Sequence, residues 1–153
     1  MGVRKDIHLK VTATIQATNT QQWVDMWKNQ INRQREAYPF NFPASFVSIR
    51  RIPWQDMQLN VKEGPMTLEV YVFFNKWRDT FEGAADQANS LDIIDVVETL
   101  ANDLHFLEDD AIINDFTQVD EEDISIAYGR PGYRLVFTAH VRKQITPVPY
   151  VSN

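Results

Sequence analysis

Apolar and polar positions alternate most regularly from Met66 to Asn75, with Met66, Leu68, Val70, Val72 and Phe74 in one set and Thr67, Glu69, Tyr71, Phe73 and Asn75 in the other. A period of two is that of a strand. Tyr71 and Phe73 place apolar rings on the side that would meet water, so that side is expected to be covered by a helix or by another subunit. Tyr133, Leu135, Phe137, Ala139 and Val141 fill one face of a last strand, Tyr133 to Lys143. With Asp123 to Tyr128 it flanks Gly129-Arg130-Pro131-Gly132, a hairpin signal. Ala44 to Arg51 predicts a further strand. It follows Pro39 and Pro43, each of which removes a backbone donor and pushes its predecessor out of the helical region. From Trp23 to Trp27 the alternation suits a strand carrying two large rings on one side, with a helix as the rival.

A helical period is clearest after Asn89 and Ser90, either of which can cap free backbone N–H groups. Leu91, Ile94, Val97, Ala101 and Leu104 form the predicted buried stripe, and Asp92, Asp95, Glu98 and Asn102 the wet face. Near the N-terminus two readings stand. Ile7, Val11, Thr14 and Ile15 are spaced as one face of a helix, whereas Ile7, Leu9, Val11, Ala13 and Ile15 alternate as in a strand. Ile52 to Pro65 is polar and rich in turn formers, a long loop, and Phe106 to Asp115 is an acidic one. Together these elements predict an α+β fold, an antiparallel sheet of four to five strands with two helices packed on one face. Residues 1–145 form a single domain, and residues 146–153 a C-terminal tail interrupted by Pro147 and Pro149.

At 153 residues the chain is long enough for one core but not two. It has no cysteine, which excludes disulfides, thiolate nucleophiles and thiolate-bound metals. A net charge of -6 disfavours duplex DNA as a partner, because such affinity comes from neutralising phosphates. No signal-peptide pattern or apolar run long enough for a membrane span is visible, so a cytosolic place of synthesis and no membrane partner are expected.

Candidate chemistry is sparse. His8, His105 and His140 each stand alone, without metal-type spacing or a neighbouring nucleophile. Glu108-Asp109-Asp110 and Asp120-Glu121-Glu122-Asp123 lack the glycine-containing alternation of an EF-hand and read as solvated loops. No phosphate-cradling glycine motif occurs. Arg33, Arg35, Arg50 and Arg51 are interleaved with Tyr38, Phe40, Phe42 and Phe46. That mix suits single-stranded nucleic acid, but it suits ion pairing with the acidic loops of a neighbouring subunit better. The expectation is therefore no catalytic residue, no cofactor and no metal.

Trp27-Lys28-Asn29-Gln30 resembles a Trp-x-x-Gln segment, Phe42-Pro43-Ala44-Ser45-Phe46-Val47 a turn into a strand, and Ile52-Pro53-Trp54 a strand end. With Val61-Lys62-Glu63-Gly64 these are similar to the pattern of small tail-terminator, or tail-completion, proteins of bacteriophages and prophages. Lys62 departs from the family's usual Gln, and Phe116-Thr117-Gln118-Val119 from its threonine-rich strand. The resemblance implies an N-terminal helix and a non-enzymatic structural protein of the virion. Such proteins form a ring, hexameric or larger, at the head–tail neck. The ring ends the tail tube, joins tail-tube protein to head-completion and connector proteins, and lets DNA pass through its lumen without specific binding. It is assembled in the host cytoplasm. In such a ring the expected interface is Arg33, Arg35, Arg50 and Arg51 against Glu108, Asp109 and Asp110 or the later acidic cluster, together with Trp54, Met57 and Leu59 of the long loop. Two alternatives are a different neck ring, and a small ligand-binding or enzymatic α+β domain with a pocket built from Trp23, Trp27, Trp54 and Trp77.

Overall fold

A computed structural model of the chain describes residues 2–33, 41–75, 87–114 and 116–145. The alternating runs become the two longest strands, β4 (Val61–Phe73) and β6 (Gly132–Gln144), paired antiparallel from Val61 against Gln144 to Phe73 against Gly132. Around them stand α1 (Val3–Ala17), β1 (Trp23–Met26), β2 (Ala44–Arg51), β3 (Gln55–Asp56), α2 (Gln87–Leu104), β5 (Thr117–Asp123) and α3 (Ser125–Tyr128). The sheet runs β1-β2-β4-β6-β5, with β3 added on β4. The fold is thus α+β, with a mixed sheet of six strands and three helices among the described residues. The expected four or five antiparallel strands are corrected by β1, which pairs parallel to β2, and by the short β3.

Both long helices lie on one face, here called inner. Met66, Leu68, Val70 and Val72 of β4 and Leu135, Phe137, Ala139 and Val141 of β6 meet Ile7, Val11 and Ile15 of α1 and Val97, Leu100, Ala101 and Leu104 of α2 in one core. The rival strand pattern in α1 fails because Leu9 is 51% exposed while residues four apart are buried. Thr18 and Asn19 close the helix, the first by an Oγ1 bond to the Ile15 carbonyl (2.7 Å), the second by a left-handed φ of 57°. In α2 the buried stripe is rotated from the expected one: Leu91 and Ile94 are exposed, and Leu100 joins Val97, Ala101 and Leu104. That helix begins at Gln87, so Asn89 and Ser90 lie inside it and are not its caps.

Asp123 to Tyr128 is not one strand. The Asp123 carboxylate accepts the Ser125 amide (2.8 Å) and the Ser125 hydroxyl accepts the Gly132 amide (3.0 Å), which turns the chain into α3. Gly129, at φ 68°, ends that turn in the left-handed region glycine tolerates. Nor is Ile52 to Pro65 a loop. It holds β3, a tight turn and the first five residues of β4. Pro65 fits inside β4 because one flank there is open, between β3, which reaches Glu63, and β2, which ends opposite Thr67. Gly64 is needed for close approach, since a Cβ there would stand 2.5 Å from the Pro53 carbonyl oxygen.

Candidate functional site

Among the described residues, the outer face of the sheet is covered by irregular segments of the chain itself, not by a long helix. After β1 ends, the Trp27 amide donates to the Val47 carbonyl (2.9 Å), and the indole is laid over the sheet. Gln30, fully buried, locks that turn: its Nε2 donates to the Met26 carbonyl (2.5 Å) and its Oε1 accepts the Lys28 amide (2.6 Å). Trp27 stacks on Tyr71 with centroids 4.3 Å apart and meets Phe46, Phe73 and Tyr128 within 6.0 Å. Phe42 packs against the same cluster under the guanidinium of Arg130. The Trp27-to-Gln30 and Phe42-to-Val47 segments, far apart in sequence, therefore build one aromatic lid.

Beside the lid lies Glu69, only 4% exposed. It accepts from Arg50 (3.1 Å) and from the Tyr71 hydroxyl (2.6 Å), and Arg134 stands 3.9 Å away. Arg134 also reaches Glu122 (2.9 Å) and Asp120 (3.7 Å). Burial, then the bond to Glu69 and its charge, push the Tyr71 hydroxyl far above the ordinary tyrosine range; burial, with Asp123 and Glu121, raises Tyr133. A tyrosine raised in the folded state keeps its full contribution below the unfolded value of about 10 and loses it as pH climbs toward the folded one. An alkaline titration is therefore expected to show a falling melting temperature above pH ~10, with tyrosinate absorbance from Tyr71 appearing only on unfolding. Tyr71→Phe should flatten that loss.

The second feature is the β3–β4 hairpin. Gln55 pairs with Glu63 and Asp56 with Lys62, whose ammonium is 2.9 Å from the Asp56 carboxylate. At the tip Leu59 and Asn60 have φ of 58° and 61°, the pair of positive values of a two-residue hairpin turn. Asn suits that position, whereas a leucine there costs about 1–2 kcal/mol. The tip is nonetheless held firmly: Gln144 Nε2 donates to the Leu59 carbonyl (3.0 Å) and the Ile145 amide to the Asn60 carbonyl (2.7 Å). Leu59 is 87% exposed and Met57 51%. A strained, exposed leucine contributes nothing to the folded chain. Leu59→Asn is expected to raise the melting temperature of the protein by about 2–4 °C, read by calorimetry in dilute solution.

The structure separates the residues that the sequence suggested for an interface. Met57 and Leu59 share the tip, but Trp54 is partly buried against the inner core, with the Lys143 ammonium 4.5 Å above its ring. Arg50 is engaged with Glu69, and Arg51 ends β2 in solvent. Arg33 closes the short turn Gln30–Arg33, while Arg35, Tyr38 and Phe40 lie outside the described residues, as do Trp77 and residues 146–153. Glu108, Asp109 and Asp110 line a polar depression that Lys10 also borders, and the Asp109 carboxylate accepts the Ala111 amide (3.0 Å). Asp120 and Glu122 already face Arg134 of the same chain. Trp27 and Trp54 belong to different clusters, Trp27 on the outer face and Trp54 against the inner core.

The histidines lie on three elements. His8 is on α1; His105 follows α2, its Nδ1 accepting the Gln118 amide (3.2 Å); His140 is on β6, 3.4 Å from Glu63. Among the described residues no three His, Asp or Glu side chains group as a metal site, and no helix is long and apolar enough to cross a membrane. Sequence reasoning missed the Glu69–Tyr71–Arg134 group, whose one signal was a carboxylate inside an otherwise apolar strand. It also missed an open cleft between the first turns of α1 and the edge of β2, about 410 Å³, with Met26, Trp27 and Ile49 among its walls. Set against protein-family models and curated protein sequences, the chain matches none.

Proposed function

We propose that this protein is a structural component of a bacteriophage virion, a ring at the head–tail neck that ends the tail tube and joins it to the connector. The observation that carries the reading is the hairpin. A strained, almost fully exposed leucine, in a turn whose carbonyls are held by the Gln144 side chain and the Ile145 amide, supports the reading of a chain that assembles. The kind of assembly comes from the tail-terminator resemblance. Its residues serve packing and chain reversal here: Trp27 and Gln30 form the lid, and Phe42 to Val47 leads into β2 beneath it. The function is non-enzymatic, and the subunits, the tail-tube protein and the head-completion proteins are its partners.

The test is assembly of infectious particles. A phage or prophage carrying the gene with Met57→Asp and Leu59→Asp is expected to make heads and tails that do not join, seen by electron microscopy. His8, His105 and His140 all replaced by Gln should still support particle formation. Normal particles from the hairpin variant, or their loss in the well-folded histidine variant, would overturn the proposal.

A further inference from the structure

Resting on the ring reading, we infer that subunits join head to tail by inserting the β3–β4 hairpin tip of one copy into the cleft between α1 and β2 of the next. The cleft exists because the parallel ladder of β1 on β2 stops at Met26 opposite Val47. Beyond that point the edge of β2 faces the first turns of α1, and the gap is walled by Met26, Trp27 and Ile49 and rimmed by Arg4, Lys5 and His8. Met26 is 49% exposed there, an apolar side chain without cover in the lone chain.

The tip matches this cleft in both chemistry and charge. Met57 and Leu59 offer two exposed apolar side chains to an apolar wall. Beside them the Asp56 carboxylate, 82% exposed and paired on one side with Lys62 (2.9 Å), stands at the end of the hairpin. The rim answers with Arg4 and Lys5 in the first turn of a helix, two cations beside the single acid Asp6 at the positive end of the dipole. Arg4 is fixed over the β2 edge by a bond from its Nη1 to the Ile49 carbonyl (2.6 Å). A chain cannot satisfy itself this way. Met26 is in register with Val47 and so with Val70, whereas the tip adjoins Val61, about 30 Å further along β4 at ~3.3 Å per residue. Two different patches that far apart give a heterologous contact, the kind that closes rings.

Because the natural chain contains no cysteine, the joint can be read by crosslinking. Leu59→Cys together with Met26→Cys should, on mild oxidation, give a ladder of covalent multimers ending at the subunit number of the untreated wild-type particle. A disulfide needs Cα atoms within about 7 Å, so the pair cannot close within one chain. Equal mixing of the two single variants should give dimers and nothing larger. Leu59→Asp, in a chain whose circular dichroism is unchanged, should weaken association about tenfold or more. If the wild type is a multimer but the double variant stays uncrosslinked, the joint is wrong and the ring stands. Disulfide dimers from Leu59→Cys alone, in equal yield, would mean tip-to-tip contact and likewise overturn it. A wild type that is monomeric throughout would overturn both.

Discussion

Val97→Asp is expected to lower the melting temperature of the protein by about 10 °C or more. Val97 is 3% exposed and lies on the face of α2 that packs against the sheet. A carboxylate there would be buried without a partner, one of the few single changes that costs about 4–5 kcal/mol or more. Total stability for a domain is about 5–15 kcal/mol, so a cost of that size removes from about a third to all of it. The internal control is Ile94→Asp, less than one turn away. Ile94 is 52% exposed, and its replacement should change stability by no more than about 0.5 kcal/mol. Thermal melts of the two variants, followed by near-ultraviolet dichroism, check both the burial of α2 and the rotation of its stripe.

Trp27→Ala is expected to cost about 3 kcal/mol, at the low end for an aromatic truncation because the indole is only partly buried. The change opens the outer face: Tyr71, Phe46, Phe73 and Tyr128 lose their common neighbour. Trp27→Phe should recover more than half of the loss by restoring a ring on Tyr71. Urea titration of the three proteins measures it, with a slope that stays unchanged if the denatured state is the same.

How much of this was visible in the chain depends on whether the deciding signal was local. β2 was found with its own bounds, and the inner faces of β4 and β6 were read correctly, because strict alternation is imposed by one buried face. The excess of rings at Tyr71 and Phe73 showed that the outer face is covered. The expected cover, a helix or another subunit, is corrected: Trp27 and Phe42 reach that face through a connection whose course near Trp27 is set by Gln30 capping its own turn. The hairpin was hidden for a different reason. Its turn is Leu59-Asn60 in place of Asn-Gly, its first strand has two residues, and Pro65 suggests a break where the sheet merely has an open flank. α3 was mistaken for strand because two side-chain bonds, from Asp123 and Ser125, outweigh the β-forming residues around them. The arginine and acidic clusters looked like two halves of an interface. Within the chain, Arg50 turns to Glu69, and Asp120 and Glu122 turn to Arg134, a residue the charge pattern did not single out.

The central claim, that this chain works as an assembled ring, is tested most directly by its mass in solution, measured by native mass spectrometry and sedimentation over a range of concentration and salt. The account predicts one closed species at a single whole multiple, six or larger, of the 17.8 kDa chain, reduced to protomers by Leu59→Asp. A monomer that persists at high protein concentration and low salt would contradict it.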